Sequence, residues 1–185
     1  MSYILESKLH NLVSHIVNQN GSGWGLDFLK GFLVTPPVTS SELFVEVESE
    51  QVDLPDFFEV DGVPVVRSHF IKTIESAGVD NFQLIPVEIR FKNSVVKDFF
   101  LFNVIGRVKC FDENKTDCSK FGPSIARIFS LKLVSNPAYG NHMFRAHEYQ
   151  DVIFITEQVK IEIEKANISG CEIRNADGWN DEHRF

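Results

Sequence analysis

Leu9, Leu12, Val13, Ile16 and Val17 recur at i, i+3, i+4, i+7 and i+8, the spacing that gathers one apolar face on a helix. Ser7 before them suits a cap and Asn20-Gly21 after them a stop, which predicts a helix from Ser7 to Gln19. Gly21 to Gly25 is too glycine-rich for regular structure, and Pro36-Pro37 marks a turn. Leu43 to Glu48 alternates as a strand, which would place Glu46 and Glu48 on one face. Val63 to Val66 is short, apolar and extended. Ser68 then predicts the cap of a helix that buries Phe70 or Ile71, with Ile74 and Ala77, and ends at Gly78. Phe82 to Phe91 reads as a strand, Lys92-Asn93-Ser94 as a turn, and Phe99 to Phe111 as a long return strand. Gly106 inside that return strand signals a bulge or a close backbone approach. Ala126 to Val134 and His142 to His147 read as two more antiparallel strands, joined through Asn136 to Gly140.

The last third echoes the middle. Val152 to Ile155 is a short apolar strand, Thr156 a cap, and Val159, Ile163 and Ala166 one side of a helix. Gly170 closes that unit before Cys171 to Arg174 resumes extended structure. Set against 65–84, the order is the same: apolar pair, hydroxyl residue, helix with Lys72 or Lys160, then Ala77 or Ala166, then a short strand. Two copies are too few for a solenoid. The expected class is therefore α+β, mainly antiparallel sheet with two or three short helices and a pseudo-repeated strand–helix–strand unit. At 185 residues the chain suits a single domain. Its expected parts are an N-terminal helix and the start of an acidic segment (1–55), a core (56–175) and a solvated tail (176–185) with Trp179 pinned to the body.

Composition sharpens this. The 17 Phe against two Met and two Trp predict a core filled by rigid aromatic rings. No apolar run approaches the roughly 18 residues of a membrane helix, and the first residues form no basic-then-apolar signal. The expected location is cytoplasmic, with no membrane partner. Cys110, Cys118 and Cys171 are odd in number and lack CxxC spacing, so reduced thiols are expected.

Charge is distributed unevenly. From Gly31 to Val66 the chain holds eight carboxylates and no Lys or Arg, whereas 18 acids meet 18 bases outside it. This segment equals the whole net charge of −8. Nucleic acid and anionic membrane should be repelled, and a basic protein attracted. The expected partner-binding residues are Glu42, Glu46, Glu48, Glu50, Asp53, Asp56, Glu59 and Asp61, with Phe57 and Phe58 as apolar anchors among them. A plain solvated rim is the competing reading of such a run.

Motifs for chemistry are sparse. Neither GxxxxGK[ST] nor GxGxxG occurs, and Gly21-x-Gly23-x-Gly25 lacks a preceding strand. His142 and His147 are five apart, which on a strand places them on opposite faces, and His10 and His15 fall about 140° apart on a helix. Asp177 to Glu182 lacks the alternating ligands of a calcium loop. No metal, cofactor or catalytic residue is assigned. An enzyme using a carboxylate pair or His147 remains as one alternative, and a self-associating structural module, giving a homo-oligomer, as another.

Several blocks carry a resemblance in order and spacing: Pro64 to Ser68, Ala77 to Val87 with its Gln83-x-x-Pro86-Val87, and Phe102-Asn103-Val104-Ile105-Gly106. Met143-Phe144-Arg145 and the stretch from Ile155-Thr156 to Ser169-Gly170 continue it. Together they resemble the bacterial immunity proteins of polymorphic toxin systems grouped as immunity family eleven, over roughly residues 56–175. The resemblance implies a non-enzymatic protein, encoded beside a toxin, that binds and neutralises it in the cytoplasm. It brings no catalytic residues.

Overall fold

The computed structural model describes residues 1–8, 14–18, 30–34, 43–47, 53–91 and 94–182. In chain order, strands β1 (Ser2–Ser7), β2 (Ser14–Asn18), β3 (Leu43–Val47), β4 (Phe57–Val60) and β5 (Val63–Arg67) lead into helix α1 (Ser68–Ser76). β6 (Phe82–Phe91), β7 (Ser94–Val104), β8 (Arg107–Val108), β9 (Asp117–Phe121), β10 (Ser124–Ser130), β11 (Met143–Ala146) and β12 (Ile153–Thr156) follow. Helix α2 (Glu157–Lys165) and β13 (Cys171–Asn175) complete the described elements. The class is α+β, with mainly antiparallel sheets.

One sheet runs β2-β3-β6-β7-β5-β4 and a second β13-β1-β12-β11-β8, while β9 and β10 form a separate hairpin. The β6/β7 hairpin organises the first sheet, in register from Phe82↔Val104 to Phe91↔Ser94, with a bulge between Val87 and Ile89. Alternate residues serve opposite layers. Ile85, Val87, Ile89, Phe99 and Leu101 enter one apolar cluster, whereas Phe102 and Val104 enter another with both helices. A third cluster, around Ile4, Phe144 and Phe154, lies against the far side of the second sheet. Rings set the contacts, as the Phe-rich composition predicts: Phe70 lies 5.3 Å from Phe57 and 5.6 Å from Phe102, edge-on in the latter pair.

The echo between middle and end is visible in the topology. β5 and β6 both pair antiparallel with β7, so they run parallel with β7 between them, and α1 connects them. β12 and β13 stand in the same relation to β1, with α2 as the connection. Each unit is thus a strand–helix–strand whose two strands are separated by one antiparallel strand. The two helices meet where Gln158 of α2 donates to the Ala77 carbonyl at the end of α1, 3.1 Å away. That bond satisfies a carbonyl the helix terminus leaves open.

Several expectations need correction. In place of a helix over Ser7–Gln19, Ser2–Ser7 and Ser14–Asn18 are strands, with 9–13 and Gln19 outside the described residues. A lone helix of that length is marginal, and β2 instead pairs with β3 from Ser14↔Val47 to Asn18↔Leu43. The return strand ends at Val104, because Gly106 adopts φ +99° and carries the chain from the first sheet to β8 in the second. β10 and β11 do not pair with each other; β10 pairs with β9, and β11 lies between β12 and β8. Ser68 is the first residue of α1 rather than its cap, and its hydroxyl bonds the Asp98 carboxylate. Residues 176–182 are not a solvated tail, since Ala176, Trp179 and Asp181 are all buried; 183–185 lie outside the described residues. The glycine run 21–25, Pro36-Pro37 and Lys92-Asn93 lie outside the described residues.

Candidate functional site

Among the described residues, the acids of the acidic segment fall on separate parts of the first sheet, Glu46 on β3 and the others at or beside β4. Glu42, Glu48 and Glu50 lie outside the described residues. Glu46 is exposed on β3, but parallel pairing with β6 sets it opposite Arg90, and nearby Glu88 is ion-paired to Lys97 at 3.1 Å. Asp53 is exposed, Glu59 half-buried on β4, and Asp61 exposed in the turn between β4 and β5 at φ +51°. Sheet pairing therefore brings in bases that the linear run lacks. Phe57, Phe58 and Val45 are fully buried and Leu54 nearly so, so these side chains fill the core and offer no anchor on the surface.

Asp56 is tied up as a structural latch. Its Oδ2 accepts the Ser169 amide at 2.9 Å and the Ser169 hydroxyl at 2.6 Å, and its own amide donates to Ser169 Oγ at 3.0 Å. His69 Nδ1 lies 3.4 Å from Oδ1. Burial pushes the carboxyl up, but the bonds from Ser169 and the nearby His69 outweigh it and hold Asp56 below its ordinary range. Gly170, next to Ser169, permits the approach: at φ +84°, a Cβ there would sit 2.2 Å from the Phe57 carbonyl oxygen. The latch joins the entry to β4 with the exit from α2.

A second polar device was not foreseen as such, although its residues stood out in the sequence. Gln83 and Asn103 face each other across β6/β7. Gln83 Nε2 donates to the Val34 carbonyl at 2.6 Å and Oε1 accepts the Val34 amide at 2.9 Å. Asn103 Nδ2 donates to the Phe32 carbonyl at 2.8 Å and to Gln83 Oε1 at 3.2 Å. Gly106 N donates to the Gly31 carbonyl at 2.9 Å. The backbone of residues 31–34 is thereby clamped onto the sheet. Its Phe32 and Leu33 side chains point outward, 59% and 74% exposed, and the Arg107 guanidinium sits 4.7 Å over the Phe32 ring. Two amides at paired strand positions were the available signal; only the fold shows what they hold.

The hairpin β9–β10 turns through Gly122-Pro123 and carries Phe121 at its tip, 86% exposed. Its base is fixed by Asp181, which is fully buried and accepts Arg127 Nε at 3.0 Å, the Ile128 amide at 3.1 Å and the Tyr149 hydroxyl at 3.2 Å. Beside the hairpin lies a cleft of about 340 Å³ lined by Lys109, Lys120, His147 and Glu148, over Phe111 and Ile125. Within it the Glu148 carboxylate is turned to the Cys110 and Phe111 amides at 3.4 and 3.3 Å. His142 lines a different, larger cleft of about 610 Å³ at the start of α2, where its Nδ1 is 3.3 Å from Thr156 Oγ1. The two histidines flanking β11 thus belong to separate clefts. Among the described residues, no three His, Cys, Asp or Glu side chains converge as metal ligands. The three cysteines are unbridged, and burial pushes the Cys110 thiol up and Cys171 to about 11, so both stay protonated at neutral pH. Among the described residues, no helix is long and apolar enough to cross a membrane.

Comparison with known protein families gives a match. Residues 26–178 fit the family described as Immunity protein family (Imm11), a range that takes in β3 to β13, both helices, the Gln83–Asn103 clamp and the hairpin but not β1 or β2. No curated protein matches the chain.

Proposed function

The chain belongs to the Imm11 immunity protein family, and from that premise we propose that it neutralises a cognate toxin by covering it, without transforming any substrate. The observation that carries this reading is the family match over residues 26–178, most of the chain. Such a family implies a toxin as partner. Polar side chains inside the fold support binding over chemistry. The Asp56 and Asp181 carboxylates, the Glu148 carboxylate and the Gln83 and Asn103 amides all serve to hold backbone segments in place. They make a rigid body, which limits the ordering cost of association.

The net charge of −8 favours a toxin of net positive charge. Because the acids are dispersed among bases, that charge acts through the summed field, with exposed Glu46, Asp53 and Asp61 contributing, rather than through a single acidic face. Association of the purified pair should therefore slow as salt rises, and a salt-independent rate would remove charge from the account. The functional test is growth. Cells expressing the toxin of the adjacent reading frame should grow when this chain is co-expressed and fail without it. Equal killing in both cultures would refute the reading.

A further inference from the structure

The exposed face beside β8 combines features that the account so far leaves unused. Phe32 and Leu33 stand outward on a backbone held by four hydrogen bonds to Gln83, Asn103 and Gly106. Among the described residues β8 is the last strand of its sheet, so this face ends the sheet. Arg107 stacks on Phe32, and two positions on, Lys109 enters the cleft that Lys120 also lines. Lys120 adjoins Phe121 at the hairpin tip. Large apolar side chains thus flank these cations on a chain of net negative charge; Glu113 and Glu148 line the same cleft, the latter turned to the Cys110 and Phe111 amides.

Resting on the toxin-binding reading above, we propose that this strip, from Leu33 and Phe32 through Arg107, Lys109 and Lys120 to Phe121, is where the toxin docks. Its counterpart on the toxin is an apolar cleft rimmed by carboxylates. Rigidly presented aromatic and aliphatic side chains are what the centre of a tight interface uses, because their positions need no ordering on contact. The cations select the rim. A toxin of net positive charge whose working cleft carries carboxylates meets both conditions, attracted at long range and matched locally. A second copy of this chain fits less well, since a two-fold contact through the strip sets Arg107, Lys109 and Lys120 against themselves. Nucleic acid is disfavoured too, because three cations on a chain of net charge −8 give a polyphosphate little to hold.

The test uses the full chain and a catalytically inactivated toxin from the adjacent reading frame. Titration calorimetry compares the unaltered chain with Phe32→Ala/Leu33→Ala and with Lys109→Glu/Lys120→Glu. All four positions lie on the surface, and thermal melts verify that each variant keeps its fold. The proposal expects each pair of substitutions to weaken binding at least 100-fold with little change in melting. Unchanged affinity in both folded variants overturns the docking strip and leaves toxin binding standing. A toxin that does not bind even the unaltered chain overturns the underlying reading as well. Sedimentation showing that the unaltered chain self-associates and the variants do not, or displacement of toxin by RNA, would assign the strip to another occupant and overturn the proposal.

Discussion

Asp56 keeps a negative charge in a half-buried turn because Ser169 surrounds one of its oxygens with an amide and a hydroxyl. Its pKa lies below the ordinary value, so the carboxylate contributes stability that is full above the unfolded value of about 3.9. That contribution fades as pH falls through the lower folded value. Asp56→Ala should cost about 2 kcal/mol at pH 7, roughly 4–8 °C in melting temperature, and less as the solution is acidified toward pH 3. Melting curves at the two pH values check this; an equal deficit at both would show that charge is not what the latch uses. At this scale the sequence misled in an instructive way. Asp56, Phe57 and Phe58 sit together in an acid-only run and read as surface chemistry. Yet one is a latch and two are core, because burial depends on strand pairing and not on the composition of neighbours.

Among elements, the legible ones were those whose signal is local. β6 runs from Phe82 to Phe91 as its pattern predicts, and α1 buries Ile74 with both Phe70 and Ile71, where the spacing asked for one of the two, while buried Ala77 follows its last turn. β1 and β2 were not legible. Ile4 and Leu5 are both buried because β1 lies between β12 and β13 with apolar clusters on either side, which erases alternation. The clamp on residues 31–34 is likewise a tertiary fact. Gln83→Leu would leave the Val34 amide and carbonyl without these partners, costing about 2–3 kcal/mol. The Val34 amide should then exchange with solvent at least about tenfold faster while the β6/β7 ladder stays protected. Unaltered exchange at Val34 would mean that the segment is held by something other than the amides.

The described residues form two large sheets, each built around a strand–helix–strand unit split by one antiparallel strand, with helices and rings between them, and a separate β9–β10 hairpin. The repeat was visible in the sequence because turn and cap chemistry recur at matching positions; the sheet order was not, since β1 completes the unit at the other end of the chain. The acidic run was also visible, but its meaning changes once Arg90 and Lys97 enter the same sheet. What remains at this scale is a net-acidic body, for which covering of a partner is the proposed mode of action. The most direct test holds the purified toxin well above the dissociation constant and follows its activity while this chain is added. Occlusion predicts a linear loss that ends at a fixed stoichiometric equivalence and does not deepen with time. Complete inactivation by a small fraction of an equivalent, progressing with incubation, would mean turnover and contradict the account.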